Sequence, residues 1–158
     1  MPASETTTQL VGEWRRVNSC EAYVAALEAA GFGANRDRWL VDFGGYWASQ
    51  EDIPAGDPCV NATEVEHSHF FTGDGQFGSR DEHGAQVDEG DYNVDGPKLA
   101  FPSHEREFGY RPIDVEYEIG ADGALELIVN VPDECSDACE VAHVWALSAF
   151  YPGPFTRD

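Results

Sequence analysis

The sequence predicts a mainly β protein: a single antiparallel up-and-down β-barrel of about eight strands, with one short helix after the first strand. Alternating apolar and polar residues recur in short segments from Glu66 to Tyr151. Turn pairs such as Asp74-Gly75 separate these segments, and such pairs are typical of hairpins. Because a barrel of this size holds packed side chains or one small ligand, we expect the function to lie inside it.

The first elements are predicted near the N-terminus. Residues 1–9 form a polar lead-in, and residues 10–158 are expected to form one domain. Leu10–Val17 has the composition of a strand. Asn18 and Glu21 have the spacing of a capping box for an amphipathic helix over Ser19–Ala30, which Gly31 can close.

The segment from Phe32 to Glu64 is rich in Gly, Asp, Pro and aromatic residues, and we expect it to be irregular, with a helical turn or strand near Trp39–Tyr46. A connection of this length is typical of a lid or plug. Trp39 and Trp47 are expected to cover one mouth of the barrel.

The remaining strands are predicted from period-two alternation, with a kink at Gly90. They are Glu66–Thr72, Gln76–Asp81, Gln86–Val94, Lys98–Phe101, Ile113–Ile119, Ala124–Val131 and Val141–Tyr151. Residues two apart on a strand share a face, so His143 and Trp145 are expected to point inward together.

The charge and hydropathy of the chain exclude some classes of binding partner and predict where the protein is located. The 158 residues carry a formal net charge of −21, from 30 acidic and 9 basic side chains. This charge repels nucleic acid and anionic membranes, so neither is an expected partner. No apolar run approaches the roughly 18 residues of a membrane span, and Met1–Leu10 does not have the pattern of an export signal. A cytoplasmic location is therefore expected, with secretion as the alternative if such a signal has been removed.

The four cysteines supply part of the reason to consider secretion. Three full pairings are possible, and Cys20–Cys59 with Cys135–Cys139 is the one that respects locality. A zinc site is the alternative, but Cys-x3-Cys without a second close pair fits structural zinc spacing poorly.

His67 and His69 project side by side if Glu66–Thr72 is a strand. Two imidazoles can form one edge of a metal site, with a third ligand from His143, His104, Glu66 or Asp81. The alternative, which is favoured, is that both rings form hydrogen bonds within the barrel wall. No cofactor is expected.

The inward-facing residues have the composition of a small-molecule pocket, an apolar wall with a few polar anchors. A small apolar or aromatic ligand is the expected partner, although the same side chains could simply fill the barrel. An Arg at the barrel mouth could hold an anion, whereas surface ion pairs are the alternative role for Arg80, Arg106 and Arg111. The predicted ligand-binding residues are His67, His69, Phe77, Tyr92, Tyr117, His143 and Trp145.

Gly12-x-Trp14, the strand meander and the terminal Arg157 together resemble the lipocalin-like, or calycin, group of small bacterial β-barrels. The hairpin from His69 to Gly78 is similar to theirs as well. The resemblance implies that Trp14 packs beneath Arg157 and that a ligand binds in the lumen. It also permits a cofactor-free cyclase or isomerase of bacterial secondary metabolism. The candidate acids or bases are then His67, His143 and Tyr117.

Overall fold

The computed structural model describes residues 9–43, 56–60, 62–110 and 112–157. Within them the chain is mainly β, with two antiparallel sheets and four α-helices. The strands are β1 (Gly12–Asn18), β2 (Val65–Phe71), β3 (Gln76–Arg80), β4 (Gln86–Asp91), β5 (Asn93–Asp95), β6 (Lys98–Ala100), β7 (Val115–Ile119), β8 (Leu125–Val129) and β9 (Thr156–Arg157). The helices are α1 (Cys20–Ala29), α2 (Arg36–Phe43), α3 (Pro102–Phe108) and α4 (Ala138–Phe150).

The strands form a five-stranded sheet in the order β4-β3-β2-β1-β9 and a four-stranded sheet in the order β5-β6-β7-β8. A single antiparallel bridge between Leu125 and Phe155 joins β8 to the residue before β9. At the opposite edge only Tyr92 separates β4 from β5. The predicted meander is therefore present, but it is divided between two sheets. The predicted kink falls at Tyr92 rather than at Gly90.

Helix α1 follows the first strand as predicted, but its cap differs. Ser19 is the N-cap, and its Oγ accepts a hydrogen bond from the Ala22 N–H at 3.3 Å. Asn18 is instead buried, and its Oδ1 accepts a hydrogen bond from the Tyr151 hydroxyl at 3.2 Å. Gly31 follows the helix with a φ of +89°, which glycine adopts without steric cost.

The segment expected to be irregular contains a 3-10 turn at Gly33–Asn35 and helix α2. Trp39 lies on α2 and is only 1% exposed, so its indole belongs to the core. Its Nε1–H donates to Glu140 on α4 at 2.8 Å. Trp47 lies outside the described residues.

The predicted strand Val141–Tyr151 is wrong, because these residues belong to α4 and its C-terminal boundary. The helix is buried on two sides. Trp145 and Phe150 face the larger core cluster between the sheets, while Val144 and Leu147 face a second cluster with α1 and α2. A helix covered on opposite faces has no polar stripe, so the 3.6-residue period that would reveal it is missing.

Helix α3 was not predicted either. It begins with Pro102 in its first turn, where the missing N–H costs no hydrogen bond, and it ends at Gly109 in the left-handed conformation with a φ of +68°. Helix α3 packs against β4 and against α4. Helix α4 packs against β8 of the four-stranded sheet and contacts His69 of β2 through Phe150. No helix among the described residues has the length and apolarity needed to span a bilayer.

Candidate functional site

A row of side chains crosses the inner face of the five-stranded sheet. The strand register places Trp14 opposite His69, His69 opposite Ser79, and Ser79 opposite Asp88. Directly opposed residues of antiparallel strands project to the same face, so three polar groups lie side by side beyond the indole. His69 and Ser79 are 2% and 3% exposed, which makes this a buried polar row.

His67 and His69 form a pair of buried imidazoles on β2, with ring centroids 5.0 Å apart. Nε2 of His69 lies 3.0 Å from the Ala149 carbonyl oxygen. Because a carbonyl only accepts, this nitrogen carries the proton, and Nδ1 has the lone pair. Nδ1 is buried and has no hydrogen-bond partner among the described residues.

Both imidazoles are neutral at pH 7. Burial, supplemented by the positive charge of Arg16, lowers the pKa of His67 to about 4. Burial also holds the pKa of His69 well below the ordinary histidine value, with His67 and Arg16 acting in the same direction. The pair therefore presents uncharged rings to the cavity.

A third histidine reaches this site from α3. Nε2 of His104 lies 2.9 Å from Oδ1 of Asp88, and its ring stacks on Trp145 with centroids 4.2 Å apart. Its Nδ1 is buried against Gly90: a Cβ added there would lie 3.0 Å from this nitrogen. Asp88 and Trp145 thus fix the imidazole between the sheet and α4.

These groups surround a cavity of about 440 Å³, bounded by β2, β3, β4 and the three helices α2, α3 and α4. Its wall combines imidazoles and hydroxyls with aromatic rings and three carboxylates. The polar and aromatic residues of this wall are His67, His69, Ser79, Asp88, His104, Phe43, Phe108, Trp145, Asp42, Glu107 and Ser148.

Three of the predicted ligand-binding residues line this cavity: His67, His69 and Trp145. Phe77 lies behind it and stacks on His69 with centroids 5.7 Å apart. Tyr92 is buried in the core, and its hydroxyl donates to the Thr72 carbonyl at 2.5 Å.

Tyr117 and His143 lie apart from the cavity-lining residues. Tyr117 is buried on β7, burial raises the pKa of its phenol, and its hydroxyl has no hydrogen-bond partner among the described groups. His143 was expected on a strand beside Trp145. On α4 the two residues project in different directions, and His143 lies beside Cys135 and Cys139.

Several other residues that line the cavity were not among the predicted ligand-binding residues, and those with polar or aromatic side chains include Asp88, His104, Glu107 and Phe108. His104 was considered only as a third metal ligand. Among these, three lie on one helix: His104, Glu107 and Phe108. These three depend on α3, whose only sequence signals are Pro102 at its start and Gly109 at its end. Asp88 lies at the cavity because it pairs with Ser79 across β3 and β4, and directly opposed residues share a face of the sheet.

The alternative metal site at His67 and His69 has no third histidine, cysteine or carboxylate grouped with it in the part of the chain that the structure describes. Glu66 pairs with Arg15 at 3.0 Å, and Asp81 accepts backbone hydrogen bonds in its turn. The trio of metal-ligand side chains that does converge is Cys135, Cys139 and His143.

Both disulfides favoured by locality are present: Cys20–Cys59 and Cys135–Cys139. Among the arginines considered as anion partners, Arg80 pairs with Glu13 at 3.1 Å. Arg106 is exposed and donates to Ser103 at 3.4 Å. Arg111 lies outside the described residues.

Beyond the other edge of the sheet, the guanidinium carbon of Arg157 lies 4.1 Å from the centroid of the Trp14 ring. Trp14 is fully buried, and its Nε1–H donates to the Leu10 carbonyl at 2.8 Å. Arg157 donates to the Gln9 carbonyl. This arrangement covers the indole at the edge of the five-stranded sheet, where β1 pairs with β9.

Comparison of the chain with protein-family models, curated proteins and solved structures found no match.

Proposed function

We propose that the protein binds a small molecule in the cavity between the five-stranded sheet and helices α3 and α4. The observation that supports this is the wall itself: a cavity of about 440 Å³ with buried polar groups on the sheet side and aromatic rings on the helix side. Cavities that hold small ligands are of this size and combine an apolar lining with a few placed polar groups.

The charges around the cavity favour an uncharged or cationic ligand over an anion. Asp42, Asp88 and Glu107 line it, and its described lining includes no Lys or Arg. The imidazoles of His67 and His69 are neutral, and the chain as a whole carries a net charge of −21. An aromatic or aliphatic amine fits best, because Phe108 and Trp145 can contact its apolar part or its cation.

We further propose that the two sheets are the walls of one flattened lipocalin-like barrel. The Leu125–Phe155 bridge connects the sheets at one edge, and the one-residue interruption at Tyr92 connects β4 to β5 at the other. In such a barrel α4 would lie across an opening, and the ligand would enter beside α3. The disulfides favour a non-reducing compartment for this protein rather than the cytoplasm.

A cofactor-free cyclase or isomerase in the same cavity is the second candidate, favoured by the oriented Asp88–His104 pair. Nδ1 of His104 packs against Gly90, so this nitrogen is poorly placed to take a proton from a ligand. His67 lines the cavity, but a pKa of about 4 makes it a weak base. Binding is therefore ranked first.

Native mass spectrometry of the untagged protein, before and after denaturation, tests for a co-purified ligand. A thermal-shift screen with matched small aromatic amines, alcohols and carboxylates then tests the ligand class. We expect amines and alcohols to raise the melting temperature and carboxylates to have no effect. Failure of every class to do so, with no co-purified mass, would show that the binding proposal is wrong.

The variant Glu107→Gln tests the role of charge, because Glu107 is exposed at the cavity and its replacement should leave the fold intact. It should weaken amine binding several-fold and leave alcohol binding unchanged. Glu118→Gln is the matched control, since Glu118 is exposed on β7 and does not line the cavity. Equal effects of the two variants would contradict a local electrostatic contribution.

A further inference from the structure

We propose that Cys135, Cys139 and His143 form a binding site for a thiophilic divalent cation, such as Zn²⁺, when the Cys135–Cys139 disulfide is reduced. One ligand atom from each of the three side chains lies within 4.8 Å of the others. In the disulfide-bonded form the sulfurs are bonded to each other and cannot act as thiolates. The disulfide and the metal are therefore alternative occupants of one site.

The positions of the donor atoms match the metal. Nδ1 of His143 lies 3.7 Å from the sulfur of Cys135 and 3.5 Å from that of Cys139. With Zn–S bonds of about 2.3 Å and Zn–N bonds of about 2.0 Å, a tetrahedral ion holds its sulfur and nitrogen ligands about 3.5 Å apart. For the metal to bind after reduction, the two sulfurs must separate and Nδ1 of His143 must give up its hydrogen bond to the Cys139 carbonyl oxygen.

The local fold favours this set of ligands. Cys139 and His143 are four residues apart on α4, so they share one face of the helix, and Cys135 reaches the same point from the preceding loop. His143 is fully buried, so its ring cannot turn out to water. Its Nδ1 lies 2.8 Å from the Cys139 carbonyl oxygen, and Nε2 has no hydrogen-bond partner within the described ranges.

The chemistry balances with a dithiol as reductant. A thiolate of the dithiol attacks the disulfide, its second thiol resolves the mixed disulfide, and Cys135 and Cys139 leave as thiols. The cation then displaces the two thiol protons, and the imidazole proton moves from Nδ1 to Nε2. Three protein ligands leave a fourth position to water, as in zinc sites that remain open.

Accessibility distinguishes this disulfide from the other. Cys135 is half-buried, whereas Cys20 and Cys59 are only 4% and 6% exposed. A mild reductant should therefore open Cys135–Cys139 first. Asp137, between the two cysteines, has a φ of +55°, which is unfavourable for a residue other than glycine, and opening the loop lets it relax.

Titration of the full-length reduced protein with Co²⁺ tests the proposal, because thiolate coordination to cobalt gives a charge-transfer absorption. We expect one ion per chain with this absorption in the reduced protein and none in the disulfide-bonded protein. Cys135→Ser should abolish the absorption. His143→Gln removes a metal ligand itself, so it should weaken Co²⁺ affinity by more than the roughly 10- to 100-fold that follows from removing a residue that only hydrogen-bonds a ligand.

Cys20→Ser/Cys59→Ser is the matched control and should retain the absorption. Should that variant fail to fold, alkylation of the metal-loaded wild-type protein gives the same answer, since Cys135 and Cys139 should be protected from the reagent. Absence of thiolate absorption in the reduced protein, or its persistence in Cys135→Ser, would overturn the proposal.

Discussion

The imidazole of His104 lies face to face with the indole of Trp145, with centroids 4.2 Å apart and ring planes 17° from parallel. Nε2 of the same imidazole is hydrogen-bonded to Oδ1 of Asp88 on β4. The ring thus joins α3, α4 and the five-stranded sheet at the cavity. It can occupy this position only because the sheet residue next to it, Gly90, has no side chain.

Gly90→Ala should lower the free energy of unfolding by about 1–3 kcal/mol, because the added Cβ would lie 2.7 Å from Cε1 of His104 and force the ring to shift. Urea unfolding measures this loss, and near-ultraviolet circular dichroism should report the changed environment of Trp145. Gly73→Ala is the control, since nothing lies within 4 Å of its added Cβ. Similar losses in both variants would contradict the steric argument.

Stability should fall as the pH is lowered from about 6.5 to 4 because of His67. Its pKa is lowered to about 4 in the folded chain, so in this range the unfolded chain binds more protons than the folded one. The loss of stability begins as the pH falls below the pKa of His67 in the unfolded chain. It stops increasing once the His67 ring is protonated in the folded protein as well. It is on the order of 3 kcal/mol, and His69 adds to it in the same direction.

Comparison of the wild type with His67→Gln separates the effect of His67 protonation on stability from the effect of the many carboxylates that titrate in the same pH range. The stability advantage of the wild type over this variant should shrink between pH 6.5 and 4 and stay constant below. Urea unfolding across the pH range measures it. His83→Gln is the control for the loss of an exposed histidine, because the side chain of His83 is 79% exposed. A constant difference between wild type and His67→Gln would contradict the prediction.

Local chemistry made the hairpins predictable, but not the helices that complete the site. The turn at Gly73-Asp74-Gly75 and the alternation on β2 depend on neighbouring residues, so β2, β3 and the shared face of His67 and His69 follow from the sequence. Helix α4 is buried on opposite sides, so its apolar residues form a continuous run like that of a buried strand. Its identity is decided by tertiary packing, which the residue pattern does not contain.

The cavity was only half predictable for the same reason. His67, His69 and Trp145 were expected to face inward, although Trp145 does so from a helix rather than a strand. The placement of His104 depends on the packing of α3 against β4. Neither segment has a residue pattern that indicates this contact.

Arg16→Lys should lower the free energy of unfolding by about 1–3 kcal/mol, because a lysine cannot reproduce the planar fork of donors. Arg16 donates to the carbonyls of Ala149 at 3.3 Å and Tyr151 at 2.6 Å, which caps the end of α4, and its guanidinium carbon lies 3.7 Å from the Tyr151 ring centroid. Thermal or urea unfolding measures the loss.

Arg106→Lys is the control for Arg16→Lys, since Arg106 is exposed and should tolerate the change within about 0.5 kcal/mol. The Ala149 carbonyl also accepts from His69, so loosening this helix end should weaken binding in the cavity. A stability for Arg16→Lys equal to that of the control would show that the cap contributes little.

The two disulfides should contribute unequally to stability. Cys20–Cys59 closes a separation of 39 residues and Cys135–Cys139 one of 4, and the entropy that a cross-link removes from the unfolded chain grows with loop length. Replacing both cysteines by Ala should cost about 4 kcal/mol for the first pair and about 2 kcal/mol for the second. Urea unfolding without reductant measures both, and a reversed ranking would contradict the entropic argument.

Asp137→Gly should raise the free energy of unfolding by about 0.5–1 kcal/mol. Asp137 has a φ of +55° and a ψ of −122°, a conformation that glycine adopts readily and other residues only at a cost of about 1–3 kcal/mol. Part of the gain is offset by the greater freedom of glycine in the unfolded chain. The aspartate makes no side-chain capping hydrogen bond that the change would remove.

Urea unfolding of Asp137→Gly should be compared with that of Asp133→Gly, which removes the same side chain from an exposed position and should be neutral or destabilising. The gain at Asp137 should also be larger in the disulfide-bonded protein than after mild reduction, because the Cys135–Cys139 bond holds the loop in which Asp137 adopts this conformation. An equal gain in both redox states would show that α4, rather than the disulfide, imposes the unfavourable backbone at its own N-terminus.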